Sequence, residues 1–356
     1  MGFKDLTAFF GVAMLAVGPV MAADHCIILQ YHHFSTATPP ATSTAPQRFE
    51  AHLDYLEEHA FRVMALDEVV TALAAGRPLP QRCVAITVDD AYETVYSEAY
   101  PRLRARGWPF TLFVNTDAVD AGLRPYLDWD TLREMARNGV AMENHSASHD
   151  HLIRRRPDEN DEAWRARVRG DIAGAGRRIA EEIGSRPRLF AYPYGEFDPA
   201  LKAVVRELGL TGFGQHSGPA WSGGDPGALP RFSMSGPYGA LESFATKVHT
   251  LPLPVARAEP AATVVALDTW RPLLRLVMHP GDHPWQALRC YANGSPEVAV
   301  RWTSTDPPTV EVRAGERLAV GRNRYNCTMP AGDGVFHWYS HNWFRRHADG
   351  RWYAEP

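Results

Sequence analysis

From Cys26 onward the chain alternates short, continuous apolar runs with stretches of helical periodicity, which restricts it to βα units around a parallel sheet or barrel. The runs are CIILQYHHF, CVAITVDD, FTLFVNT, VAMENHS, RLFAYPYG, TGFGQH and LPRFSMS. Helical patterns around 92–105, 129–138, 161–184, 199–208 and 240–249 separate most of them. After the first run, TSTAPQRFEAHLDYLEEH has cap residues, a proline near its first turn and an apolar stripe of Phe49, His52, Leu53 and Leu56. About seven such repeats favour a barrel over an open sheet.

The pattern stops at LPLPVARAEPAA, a proline- and alanine-rich stretch that reads as a linker. Beyond it short strand-like segments recur, LLRLVMH, EVAVRWT, TVEVRAG and FHWYSHNWF, with turn signals such as ANGSPE between them. The expected domains are a barrel over 23–252 and a small all-β sandwich over 253–356. Trp302, Trp338, Trp343 and Trp352 are expected in the core of that sandwich, with stacking on sugar rings as the alternative.

Residues 1–22 read as a signal peptide: Lys4, the apolar stretch LTAFFGVAMLAVGPV, then VMA before Ala23. Asp5 is unusual in such a position and leaves an uncleaved anchor as the alternative. No later stretch is long and apolar enough to span a bilayer, so a periplasmic or secreted protein is expected. In an oxidising compartment the four cysteines, none of them in a C-x-x-C pair, favour disulfides over metal ligation. Cys26 stands six residues before His32 and Cys83 six before Asp89, so neighbouring parallel strands in register would bring these thiols together. Cys290 and Cys327 would make the second bridge; buried free thiols are the alternative for either pair. With 37 basic and 41 acidic residues, a net charge of −4, there is no electrostatic footprint for nucleic acid. Arg154, Arg155 and Arg156, diluted by the acidic residues that follow, read as a solvated loop and helix face.

Two of the apolar runs end in unusual polar clusters. CVAITVDD finishes with Asp89 and Asp90 side by side, where like charges repel; the pair makes sense if a cation holds one while the other acts as a base. Helix capping is the plainer alternative. VAMENHSASHDH places His145 and His149 at the end of a neighbouring strand, and two imidazoles with one carboxylate suit a divalent metal, zinc above others, with an open position. His151 is a spare imidazole. In FAYPYGEFD, Pro193 and Gly195 shape a tight turn able to aim a backbone N–H at an oxyanion.

Together, Thr87-Val88-Asp89-Asp90, His145-Ser146-Ala147-Ser148-His149 and Tyr192-Pro193-Tyr194-Gly195 resemble, in this order, the NodB-like polysaccharide deacetylases of carbohydrate esterase family 4. The resemblance covers about 26–252 and implies an incomplete (β/α)7-type barrel, with Asp89 as general base. It implies Asp90, His145 and His149 as metal ligands and the Tyr194 N–H as oxyanion donor. Many members carry an arginine just before the Pro-Tyr-Gly turn; here Ala191 stands there, and Arg231 is the candidate cation for the catalytic carboxylate, against a plain structural salt bridge. The late-strand histidine that many relatives use as general acid is not evident, which leaves His216, His32, His33 and His341 as candidates. The set Tyr-His-His, AYPYGE, SGPA and LPRF is most similar to the branch that N-deacetylates exported β-1,6-linked N-acetylglucosamine polymers. An N-acetylated glycan is therefore the expected partner. Peptidoglycan or chitin oligomers are the alternative substrates, and a catalytically silent carbohydrate-binding protein is the alternative class.

Overall fold

The structure is a computed structural model and describes residues 22–354; the leader expected over 1–22 lies outside the described residues but for its last position. The N-terminal part is built on strands His25–Tyr31 (β1), Cys83–Asp89 (β2), Thr111–Val114 (β3), Ala141–Asn144 (β4), Leu189–Ala191 (β5), Thr211–Phe213 (β6) and Phe232–Ser233 (β7). They pair in parallel in the order β6-β5-β4-β3-β2-β1-β7. A parallel bridge from Phe213 to Leu229 draws the chain back toward β6. The seven strands thus curl into the expected incomplete barrel, with that bridge at its seam.

Helices Pro46–Glu58 (α1), Leu66–Ala74 (α2), Trp129–Arg137 (α3), Asp161–Ile183 (α4), Pro199–Glu207 (α5) and Leu241–Val248 (α6) accompany the strands. Pro46 opens α1, where its missing N–H leaves no helical bond unmade, and the stripe Phe49, His52, Leu53 and Leu56 is buried. The side chain of Asn160 caps α4 by accepting from Ala163 N, and Gly184 ends it in the left-handed conformation.

Strand alternation decides what faces the barrel interior. Ile27, Leu29, Tyr31, Val84, Ile86 and Val88 share one cluster with Phe49 and Leu53 of α1. Cys26, Ile28, Cys83 and Ala85 belong to another, with Phe113, Ala191 and Phe213. Positions an even number of residues from the cysteines share their face, so Gln30, Thr87 and Asp89 look inward above Cys26 and Cys83. Ile27 pairs with Val84, which sets Cys26 opposite Cys83; their Cα atoms are 4.7 Å apart and the sulfurs are bonded.

The C-terminal part has strands Val255–Glu259 (β8), Leu274–Met278 (β9), Arg289–Ala292 (β10), Val298–Thr305 (β11), Pro308–Ala314 (β12), Gly321–Gly332 (β13) and Val335–Arg345 (β14). One sheet runs β8-β9-β12-β11; in the other, β14-β13-β10 is extended by Leu251–Pro252. Leu274, Leu276, Val310 and Val312 of the first share a core with Cys290, Tyr325, Met329 and Trp343 of the second. Cys290 pairs with Cys327 and is bonded to it.

Three expectations need correction. LPLPVARAEPAA is not a linker: Leu251–Pro252 pairs with β14 and Val255–Glu259 with β9, the prolines lying where strands begin or end and no ladder N–H is needed. Of the four tryptophans only Trp343 is fully buried in the sandwich core, with Trp302 packed against it. Trp338 instead meets Phe232 edge-on across the boundary between the two parts, at 5.5 Å, and Trp352 lies against Arg154. Arg154 is accordingly no solvated charge, since it pairs with the buried Glu196.

Candidate active site

Asp89 and Asp90 end β2 on the rim formed by the carboxyl ends of the parallel strands, where α/β barrels assemble their sites. In a regular strand, neighbours point to opposite faces. Asp90 escapes this by adopting φ 59°, so both carboxylates can serve one site. Among the described residues, eight non-glycine positions have left-handed backbone, and Asp90, Ser146, His149 and Tyr194 are half of them. Such conformations persist only where the surrounding structure enforces them.

Asp89 is fully buried and held by three short hydrogen bonds. Arg231 Nη1 donates to Oδ1 at 2.6 Å and Nη2 to Oδ2 at 2.7 Å, while Gln30 Nε2 donates to Oδ2 at 2.6 Å. His32 Nε2 stands 3.9 Å from Oδ2. Burial opposes ionisation of Asp89, but Arg231 above all, with His145 and His32, holds its carboxyl well below the usual range. Arg231, itself fully buried, also donates from Nε to Gly214 O at 3.0 Å and from Nη1 to Thr87 Oγ1 at 3.1 Å. It comes from the chain between the seam bridge and β7.

The loop after β4 is shaped by its own polar groups. Ser146 N donates to Asn144 Oδ1, His149 N to Ser146 Oγ, and Asp171 of α4 accepts from Ala147 N at 2.9 Å. The result brings His149 Nε2 to 3.3 Å and His145 Nε2 to 3.6 Å from Asp90 Oδ1. His145 Nδ1 lies 2.8 Å from Ala191 O, a carbonyl that can only accept, so Nδ1 carries the proton and Nε2 presents its lone pair. Burial pushes this imidazole down to about 4 despite the neighbouring carboxylates.

These three groups could hold a metal ion. Two observations fit one. A four-coordinate ion with bonds of about 2.0–2.1 Å separates its ligand atoms by about 3.3–3.4 Å, close to the 3.3 and 3.6 Å between Asp90 Oδ1 and the two imidazole nitrogens. Asp90 Oδ1 is buried and accepts no hydrogen bond, an arrangement that is costly unless a cation compensates it.

Tyr194 lies in the turn after β5, with φ 58°. Gly195 N donates to Tyr192 O at 2.8 Å, and a Cβ on Gly195 would sit 2.5 Å from Gln215 Cβ, so only glycine fits. The Tyr194 ring is 4.8 Å from that of His149 and stacks on His151 at 3.7 Å. His151 Nδ1 is 2.9 Å from Glu196 Oε2.

Of the four histidines considered as acids, only His32 comes within ion-pairing distance of an aspartate among the described residues. His33 stacks on Tyr92 at 3.6 Å. His216 and His341 line a separate cavity of about 400 Å³ at the boundary with the C-terminal sheets, whose lining includes neither aspartate. They are packing histidines, pushed down by burial to about 3 and about 4. A depressed histidine stabilises the fold above its unfolded pKa, near 6.5, and that contribution is lost as pH falls toward the folded value. Urea unfolding at pH 7, 6 and 5 should therefore show stability falling by about 1.4 kcal/mol per pH unit for each of them below pH 6.5; a flat profile would contradict this assignment.

Sequence reasoning passed over Gln30. Its signal was its place as the lone amide in an apolar run, two residues before His32 and on the same strand face as Asp89.

The sequence matches the family model described as polysaccharide deacetylase over residues 76–213. The chain carries a polysaccharide deacetylase domain. The poly-beta-1,6-N-acetyl-D-glucosamine N-deacetylase of Staphylococcus aureus (strain MRSA252) is 27% identical over 172 residues, 47% of this chain and 59% of that protein. YxkH of Bacillus subtilis (strain 168) is 25% identical over 188 residues, 52% of this chain and 63% of that one. The chain thus spans about three fifths of the length of these curated relatives, 63% and 59%. Among solved structures, IcaB from Ammonifex degensii superposes with a TM-score of 0.56 at 24% identity, covering 64% of this chain and 97% of that one. The Streptococcus pyogenes deacetylase PplD, in complex with acetate, gives 0.56 at 20% identity, covering 63% and 98%. At these identities the two structures speak for the fold of the deacetylase domain.

Proposed function

We propose that this protein is an exported, zinc-dependent hydrolase that removes N-acetyl groups from a polymer of β-1,6-linked N-acetylglucosamine. The observation that carries the reading is the convergence of Asp90, His145 and His149 on one point beside an Asp89 kept ionised by Arg231. A divalent ion held there would polarise the acetamide carbonyl and make a water molecule more acidic.

The chain's own residues supply the rest. Asp89 accepts the proton of the attacking water on the one acceptor site that the three hydrogen bonds from Arg231 and Gln30 leave open, since an ionised carboxylate has about four. Arg231 keeps Asp89 charged and aimed. The Tyr194 N–H donates to the carbonyl oxygen as it gains negative charge. His32, whose Nε2 lies 3.9 Å from Asp89 Oδ2, takes up the proton that Asp89 has accepted and passes it to the departing amine as the C–N bond breaks, leaving acetic acid, which ionises to acetate, and a free glucosamine amine. The choice of polymer is supported by the named activity of the Staphylococcus aureus relative. Two disulfides, and no helix among the described residues long and apolar enough to cross a membrane, support export into a periplasm or medium.

The test is metal analysis of the purified protein together with acetate release from poly-β-1,6-N-acetylglucosamine, chitooligomers and peptidoglycan. One zinc per chain and fastest release from the first substrate are expected. Faster release from either of the others would move the assignment to that glycan. A zinc-loaded protein that binds glycan and releases no acetate would make it a binding protein.

A further inference from the structure

We propose that the C-terminal part is a clamp on the catalytic turn, with Arg322 and Tyr353 as positioning residues that hold Tyr194 in the shape that presents its N–H. This rests on the deacetylase reading above. Two separate sets of contacts reach Tyr194 from beyond the barrel.

The first is direct. Arg322, on β13, donates from Nη1 to Tyr194 O at 2.7 Å, joining residues 128 apart in sequence. The second runs through side chains. Tyr353 Oη donates to Glu196 Oε1, and Arg154 Nη2 donates to the same oxygen at 3.1 Å. The other carboxylate oxygen of Glu196 meets His151, whose ring lies flat on the Tyr194 ring with an interplanar angle of 14°. Arg154 also donates to Tyr353 O at 2.9 Å and lies 4.7 Å from the Tyr353 ring, so the tail is fastened at both backbone and side chain. Glu196 is 1% exposed and Tyr353 7%, which shields this linkage from water.

The geometry explains why both contacts matter. The Tyr194 Cα joins two peptide planes, one carrying its N–H and one its carbonyl. Holding the carbonyl fixes ψ, and pinning the ring fixes the direction of Cβ; together they locate the Tyr194 nitrogen and confine its N–H to rotation about the N–Cα bond. A bulky residue at φ 58° needs such restraint, because its relaxed conformation lies elsewhere. A deacetylase domain alone lacks both contacts, since Arg322 and Tyr353 lie beyond residue 252.

The experiment uses the full-length, zinc-loaded protein and its R322M, Y353F and R322M/Y353F variants, with R322K as the conservative control. Acetate release is measured on poly-β-1,6-N-acetylglucosamine oligomers, and amide hydrogen exchange is followed across 192–196. In the double variant, kcat is expected to fall about 10–100-fold with KM within about twofold, part of the effect of deleting an oxyanion donor. R322K should restore at least half of the R322M loss. Exchange at 194–196 should rise at least about tenfold while 85–90 stays unchanged, as for a local opening. Unchanged kcat or unchanged exchange in a folded, zinc-loaded double variant overturns the clamp. If D89N is inactive while the clamp variants match wild type, the clamp alone fails. A zinc-loaded wild type that releases no acetate brings down the deacetylase reading, and the clamp's catalytic role with it.

Discussion

Asp89→Asn is expected to yield a protein that keeps its metal but releases acetate about 10²–10⁴ times more slowly, the span a positioned general base contributes. His145→Ala is expected to lose metal and turnover together. The two outcomes differ because the residues face different partners. Asp89 spends its contacts on Arg231 and Gln30, whereas His145 has Nδ1 committed to Ala191 O and only Nε2 directed at Asp90 Oδ1. An asparagine at 89 would also turn an NH₂ group toward the guanidinium, so the variant should lose about 1–3 kcal/mol of stability as well. Metal content, acetate release and urea unfolding on the same samples separate these effects. Loss of metal from the Asp89 variant would make that carboxylate a ligand and remove the proposed base.

Arg231→Ala is expected to cost about 3–5 kcal/mol and to abolish most turnover, because it strands a buried carboxylate. Environment sets this magnitude, not distance. Arg231 and Asp89 approach to 2.6 Å with both side chains fully buried, while Arg351 and Asp349 approach equally closely with side chains 79% and 51% exposed. The second pair, screened by solvent, should contribute little to stability. Arg231→Lys keeps the charge but not the two-pronged fit, and should fall between wild type and alanine in both stability and rate. Chemical denaturation of the three arginine-site proteins, alongside Arg351→Ala, gives the comparison. Equal losses at the two sites would show that the Asp89 pair is an ordinary salt bridge.

Legibility in the sequence tracked how locally each feature is encoded. The aspartate pair, the two histidines four apart and the Pro-Tyr-Gly turn each occupy a few consecutive residues at the end of an apolar run, so their place on one rim could be read from strand direction alone. The bridge between Cys26 and Cys83 was legible because both cysteines precede a rim residue by the same even spacing. Gln30 was missed because a single amide in an apolar strand carries no motif, although strand parity would have put it beside Asp89. The linker was misread because prolines that end edge strands look the same as prolines that keep a segment extended. His216 and His341 looked like proton donors only while the boundary between the two parts was unknown.

The order of elements, the barrel class, the strand faces and the three site motifs were determined by the sequence itself, since strand and helix periods and turn chemistry act over a few residues. Beyond the Cys26–Cys83 bridge, which strand register implied, and Arg231, which the sequence offered only as a candidate against a plain salt bridge, the tertiary structure decided which distant side chains meet. Arg231 and Asp89 are 142 residues apart, and Arg322 and Tyr194 128. Each pair depends on how the barrel closes on itself or docks on the C-terminal sheets, and no local preference of either residue encodes that distance. Short-range propensity writes the rim; long-range packing chooses the cation that charges Asp89 and the arm that reaches Tyr194.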